Sequence, residues 1–149
     1  NSGSHLLNLL ESWLGYCTQV NCISKHISSH DANDFDADFI VSFKDATILF
    51  QCGMEDTYSY SAMELFYSGG RISYNEGGRR ITLNPVEEVP GSSYTTLAKD
   101  SVEITSYLNI YQYNVYNELY RALSGQNNLL SNAKDALRTQ ESINSLKVN

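Results

Sequence analysis

The first residue whose position suggests chemistry is His5, which stands at the start of a predicted helix. The positive end of a helix dipole disfavours imidazolium, so a histidine placed there stays neutral at pH 7. A neutral imidazole can accept a proton from a hydroxyl group, which the oxidation of an alcohol requires of a general base. His5 is therefore the candidate catalytic residue. The alternatives are a histidine that only caps or packs the helix, and a Gly-Ser-His string left by an expression tag.

Three arginines form a second candidate group around two glycine turns. Arg71, Arg79 and Arg80 could hold a phosphate or a carboxylate, because a guanidinium group binds such anions through two parallel hydrogen bonds. Arg71 is accordingly a candidate substrate-binding residue. The simpler interpretation is that all three are exposed charges on hairpins.

Two spacings are similar to those of metal sites but fit them poorly. Cys22, His26 and His30 stand four residues apart, which gathers ligands on a helix, yet they fall on a predicted strand and its exit. Residues four apart on a strand lie roughly 13 Å from one another. The acidic run at 31–38 has Phe39 where a calcium loop needs its turn glycine, and no glutamate closes it. We expect no metal site.

Composition narrows the classes of partner. The 149 residues carry ten Lys and Arg against 17 Asp and Glu, and the net charge of −7 repels phosphate backbones and anionic lipid headgroups. No apolar run approaches the roughly 20 residues that span a bilayer, and no secretory signal is evident. We therefore expect neither nucleic acid nor membrane as a partner.

The cysteines are odd in number and lack disulfide spacing: Cys17, Cys22 and Cys52. This favours inert thiols and a cytoplasmic location.

The elements that must position these residues begin with a helix. Apolar residues recur at helical spacing over 6–14, and Gly15 follows as a left-handed stop. Alternating apolar residues then predict the first strands. These strands are expected at 18–27, 39–43 and 46–52, with a polar loop at 31–38 and a turn at 44–45.

The middle of the chain indicates an antiparallel meander. Gly69-Gly70 and Gly77-Gly78 supply the tight turns, because glycine takes positive φ without a Cβ penalty. Pro85 and Pro90 are predicted to end regular pairing. Strands are expected at 63–67, 71–74, 80–83 and 101–105.

Two helices close the chain. The first is a stripe from Leu108 to Leu123 ended by Gly125, and the second is capped by Ser131.

The order of helix, five to seven strands and two helices predicts a single α+β domain over 1–149, with an open, mainly antiparallel sheet. Three helices can cover only one face of such a sheet. Because 11 tyrosines and five phenylalanines fall largely on the strands and the penultimate helix, we expect a homo-oligomer that buries the open face, the alternative being a solvated face.

Three segments together resemble a known family. Residues 3–15, Gly-Ser-His-Leu-Leu-Asn-Leu-Leu-Glu-Ser-Trp-Leu-Gly, are similar to the start of the C-terminal domain of Gfo/Idh/MocA-type oxidoreductases. Residues 63–72 resemble that family's strand, glycine turn and "GRI"-like strand. Residues 116–125 and 131–146 resemble its closing helix pair. The three matches occur in the family's order and cover nearly the whole chain.

The resemblance implies an NAD(P)-dependent enzyme that acts on a sugar, a cyclitol or a nucleotide sugar. It also implies a C-terminal domain like that of glyceraldehyde-3-phosphate dehydrogenase, with the dinucleotide held by an N-terminal Rossmann domain. That half is absent here, since no Gly-x-Gly-x-x-Gly motif occurs, and the chain alone is expected to be inactive.

Carried onto this chain, the family pattern makes His5 the catalytic histidine and gives Asn1 and Asn8 substrate-binding positions. Asn1 stands where many members have an aspartate, and Asn8 replaces a frequent acid. Asparagine can orient a partner but cannot stabilise an imidazolium by charge. The departure keeps two alternatives open, a non-catalytic sugar- or nucleotide-binding regulator of the same fold and a chance likeness of an ordinary α+β domain.

Overall fold

The structure is a computed structural model and describes residues 2–27, 35–53 and 58–148. Its described part is an α+β protein in which every strand pair is antiparallel, so the expected class and strand direction are confirmed. The helices are α1 Ser2–Leu14, α2 Tyr111–Leu123 and α3 Ala133–Val148, and short 3₁₀ turns cover Glu76–Gly78 and Leu108–Ile110. The strands are β1 Gln19–Ile27, β2 Phe35–Ser42, β3 Thr47–Phe50, β4 Met63–Tyr67, β5 Gly70–Asn75, β6 Arg80–Glu88, β7 Thr95–Leu97 and β8 Val102–Ile104.

The chain divides into two compact units. The first comprises residues 1–55 and 129–149, and the second comprises residues 56–128. The first unit contains α1, α3 and a three-stranded sheet in the order β1-β2-β3. The second contains α2 and a five-stranded sheet, in which β4, β5 and β6 are consecutive and both β7 and β8 pair with β6. The strands thus form two sheets, whereas the sequence pattern predicted one.

The buried core lies in the first unit. Leu7 and Leu10 of α1 and Val41 of β2 are almost completely buried, and α3 packs on both α1 and β1. The rings of Phe39 and Phe50 stack with centroids 4.4 Å apart across β2 and β3. Each fully buried side chain of this kind contributes about 1.5–3 kcal/mol to folding. The core therefore fixes the buried side of α1, and with it the direction in which the opposite side faces.

The five-stranded sheet of the second unit has one apolar and one polar face. Cross-strand pairing aligns Leu65 with Ile72, Ile72 with Leu83 and Leu83 with Val102, so these residues share a face. None of them is fully buried, and Val102 is 58% exposed. Among the described residues of this unit, no large hydrophobic side chain is fully buried.

Three details of the strands predicted from the sequence were wrong. β6 continues through Pro85 to Glu88, because the Pro85 carbonyl accepts a hydrogen bond from Ala98 N while Val86 N donates to Gly69 O. The short strand β7 between Pro90 and β8 was not expected. β2 begins at Phe35, inside the predicted loop, whose residues 31–34 lie outside the described part.

Two helices end at the glycines predicted from the sequence, whereas the predicted N-cap of the last helix was wrong by one residue. Gly15 and Gly125 both have left-handed φ values, +81° and +71°. After α2 the amides of Gly125 and Gln126 bond back to Ala122 and Arg121, which is a Schellman motif. At α3, however, the N-cap is Asn132 rather than Ser131. Its Oδ1 accepts hydrogen bonds from the amides of Lys134 and Asp135 at 2.8 and 3.2 Å.

Candidate functional site

His5 lies in the first turn of α1, as predicted, and its side chain is exposed. The buried side of the helix carries Leu7, Leu10 and Glu11. His5 and Ser12, two turns apart, lie on the opposite side. No described residue forms a hydrogen bond with the His5 imidazole, so both ring nitrogens are accessible to a ligand that approaches this side of α1.

The two asparagines proposed beside His5 differ in what the structure describes. Asn1 lies outside the described residues. The Asn8 side chain turns to the neighbouring helix, where its Nδ2 donates a hydrogen bond to Thr139 Oγ1 of α3 at 2.9 Å. In this structure Asn8 therefore joins two helices, and its amide nitrogen is committed to that contact.

Thr139 is the centre of a buried polar contact that sequence reasoning missed. Its hydroxyl donates to Glu11 Oε2 at 2.6 Å, and both residues are buried, with 4% and 7% of their surface exposed. A buried carboxylate is costly unless it accepts hydrogen bonds of this kind. The one signal in the sequence was the placement of Glu11 on the apolar side of α1, directly after Leu10. Glu11, Thr139 and Asn8 thus fix α1 against α3.

A small cavity lies next to this helix contact. It has a volume of about 200 Å³ and is lined by Glu11, Tyr16, Cys17, Arg138, Glu141 and Ser142. The guanidinium carbon of Arg138 stands 3.6 Å from the centroid of the Tyr16 ring, and the Tyr16 hydroxyl donates to Asp135 Oδ1 at 3.1 Å. The walls carry acidic groups and a single arginine, so the cavity does not favour an anion.

Cys17 and Cys52 have the character of structural cysteines. Burial raises the pKa of Cys17, and its hydrogen-bond contact with Ser142 Oγ, at 3.2 Å, offsets this only in part. Burial and the neighbouring Asp38 carboxylate also raise the pKa of Cys52. All three cysteines are free. A raised pKa lowers the thiolate fraction at neutral pH, so Cys17 and Cys52 are poor nucleophiles.

Of the three residues with metal-like spacing, Cys22 and His26 both lie on β1, and His30 lies outside the described part. Within residues 2–27, 35–53 and 58–148, no three His, Cys, Asp or Glu side chains converge as metal ligands.

Arg71 is engaged by its own sheet. Its Nη2 donates to Asn84 Oδ1 at 3.0 Å, and its Nε lies 3.4 Å from Glu64 Oε2 as an ion pair. The Nε–Glu64 contact is electrostatic, because Nε is buried without a hydrogen bond of good geometry. Ser73 also donates to Glu64 at 2.9 Å, and Asn84 donates to the Ala98 carbonyl at 3.0 Å. This network crosses β4, β5 and β6 on the polar face of the sheet.

The three arginines considered together have different surroundings. Arg79 and Arg80 are exposed, whereas Arg71 is half-buried. Arg79 borders an open cavity of about 530 Å³ whose other walls are Ser106, Leu108, Asn109 and Tyr111. Arg71 does not line that cavity. His5 and Arg71 belong to different compact units.

Comparison with known proteins adds no relative. No protein-family model, curated protein or solved structure matches this chain. In the described part, every helix is too short or too polar to cross a bilayer.

Proposed function

We propose that this chain is the substrate-binding and subunit-pairing domain of an NAD(P)-dependent oxidoreductase of the Gfo/Idh/MocA type. Its substrate is a sugar, a cyclitol or a nucleotide sugar, and its fold is the glyceraldehyde-3-phosphate dehydrogenase-like C-terminal domain. The observation that carries the proposal is the position of His5, which is exposed in the first turn of a helix whose other side is anchored in the core. A general base needs both access to substrate and a fixed backbone.

The proton transfer assigned to His5 follows from its place on α1. A neutral imidazole can accept the hydroxyl proton of the substrate, while NAD(P) bound by the parent enzyme would accept the hydride from the same carbon. The contacts of Asn8 and Glu11 with Thr139 hold α1 in register with α3, so they keep the imidazole in place without touching substrate. In this proposal Asn8 is a positioning residue.

The dinucleotide does not fit this chain. The described strands pair only antiparallel, whereas a Rossmann site needs a parallel βαβ unit, and none of the nine glycines forms Gly-x-Gly-x-x-Gly. NAD(P) therefore belongs to a separate N-terminal domain of the parent enzyme. No residue of this chain is assigned to it.

Subunit pairing is the second part of the proposal. The apolar face of the five-stranded sheet carries Leu65, Ile72, Leu83 and Val102, none of which is fully buried. An antiparallel sheet normally exposes a polar face and buries an apolar one. A second copy that packs on this face would remove it from water and complete a homo-oligomer.

The catalytic part is tested by His5→Ala in the parent enzyme that includes the Rossmann domain. We expect NAD(P)H turnover with a panel of nucleotide sugars to fall about 100-fold or more, mainly in kcat, because general-base catalysis contributes that much. Ser12→Ala, on the same exposed side of α1, is the matched control and should retain wild-type turnover. Undiminished activity of His5→Ala would exclude the assigned role.

A second candidate function is a non-catalytic sugar or nucleotide sensor. It is supported by Asn8, because an asparagine stands where the family pattern often has an acid and its amide nitrogen is bonded to Thr139. This function predicts saturable binding of a sugar nucleotide in calorimetry together with no turnover in the parent protein. Turnover that depends on His5 would exclude it.

A further inference from the structure

Helix α2 presents its apolar residues to solvent. No residue of α2 is buried, and the element that it contacts most is the short 3₁₀ turn just before it. Its half-buried side carries Glu118 and Arg121, which pair with each other at 3.0 Å. The helix therefore lies with its charged side inward and its aromatic side outward, which is the reverse of an ordinary surface helix.

The exposed side contains a symmetric stripe. Its members are Tyr113, Tyr116, Tyr120 and Leu123, spaced three, four and three residues apart, and each is 68–81% exposed. This spacing keeps them on one side of an α-helix. It also reads the same in both directions along the chain, so the stripe is self-complementary in an antiparallel pair.

The exposed area is sufficient for an interface. Seven apolar side chains of α2 are more than 40% exposed: Tyr111, Tyr113, Val115, Tyr116, Leu119, Tyr120 and Leu123. Since an aromatic side chain can bury about 150–250 Å², the seven together offer on the order of 800 Å², most of it from the four residues of the stripe. A stable dimer buries roughly 800 Å² on each partner, whereas the largest apolar patch of a typical monomer is about 300–600 Å².

Charge also favours a second copy of the chain as the occupant. The whole chain has a net charge of −7, which opposes self-association through most surfaces. The stripe itself carries no charge, and the only charged residues of α2, Glu118 and Arg121, neutralise each other on the other side. Two copies can therefore meet here without bringing like charges together.

We propose that α2 is a self-association surface on which two copies pair antiparallel about a twofold axis near the centre of the helix. Tyr116 of one copy then packs against Tyr120 of the other, and Tyr113 packs against Leu123. Because each contact occurs twice, the interface closes on itself. This pairing is separate from the sheet-face pairing proposed above and does not depend on the enzymatic function.

The test is sedimentation equilibrium of the full 149-residue chain. Tyr116→Glu and Tyr120→Glu should each raise the dissociation constant of the α2 dimer at least about tenfold, since tyrosine is a frequent centre of interface energy. Asn117→Glu is the matched control, because it adds the same charge one residue away on the polar side and should leave the constant unchanged. All three positions are exposed, and circular dichroism should show unchanged helix content.

The Val102→Glu variant provides a second background, in which association through α2 can be distinguished from association through the apolar sheet face. Val102→Glu places a charge on the apolar face of the sheet, so the association that remains in this variant is that of α2. If Val102→Glu retains a dimer that Tyr116→Glu dissociates, the α2 pairing is supported. The α2 pairing is wrong if the assemblies of Tyr116→Glu and Asn117→Glu have equal masses in sedimentation equilibrium. It is also wrong if the Val102→Glu variant alone is a monomer. A monomeric wild type also overturns it.

Discussion

At the residue scale, the side chains with the clearest structural role are those that join α1 to α3. The Thr139 hydroxyl donates to the buried Glu11 carboxylate at 2.6 Å and accepts from Asn8 at 2.9 Å. Loss of a partner to a buried charged group costs more than loss of an exposed hydrogen bond. The position of His5 thus depends on residues that are remote from it in sequence.

Thr139→Val should destabilise the first unit by about 1–3 kcal/mol, because it preserves the shape of the side chain but removes the donor to Glu11 and the acceptor from Asn8. The measurement is urea unfolding followed by circular dichroism. Thr139→Ser retains the hydroxyl and is the control, with a smaller loss expected. Equal stability of Thr139→Val and wild type would mean that the contacts of Thr139 with Glu11 and Asn8 make no net contribution.

At the element scale, the turn between β4 and β5 has the strictest backbone requirement. Gly70 has a φ of +154°, and a Cβ built there would overlap the Asn84 carbonyl oxygen of the adjacent strand. Gly77, with a φ of +64°, has open space around its Cα. The two glycines lie in consecutive turns of the same meander. Glycine is required at position 70 because β6 approaches closely, and at position 77 because the backbone has a positive φ.

Gly70→Ala should therefore lower the urea midpoint of the second unit more than Gly77→Ala does. The alanine at position 77 carries a conformational cost of about 1 kcal/mol, whereas position 70 adds a collision with the backbone of β6. Similar midpoints for the two variants would show that β5 and β6 can separate locally without loss of the sheet.

Much of this local structure was predictable from the sequence. Helix ends at Gly15 and Gly125 and the turn at Lys44-Asp45 depend on the conformational preferences of nearby residues, which a sequence displays directly. Pro85 was misjudged because its effect depends on which strand lies beside it. The contact of Glu11 with Thr139 spans 128 residues of sequence, so no local pattern could have revealed it.

At the scale of the whole molecule, apolar burial is distributed unevenly. The first unit contains every fully buried large hydrophobic side chain among the described residues. The second unit has an antiparallel sheet with an apolar face and the aromatic helix α2, both of which contact solvent. The sequence pattern predicted the α+β class and the antiparallel strands, but it did not predict the division into two sheets.

Val102→Glu should reduce the mass of the wild-type assembly, because it introduces a charge into the apolar face that forms the proposed interface. The neighbouring Ser101→Glu lies just outside β8 and is the control, with no change in mass expected. Light scattering across a concentration series provides the measurement. The same mass for wild type and both variants would contradict pairing through the sheet.

The two short strands beside β6 have a consequence for aggregation. β7 and β8 contain three residues each and pair with different parts of β6, so this edge of the sheet is interrupted. A long, continuous edge strand is a template for fibril growth, because its free amide and carbonyl groups recruit further strands without limit. The broken edge offers few such groups in a row. This edge of the five-stranded sheet is thereby protected against open-ended strand addition.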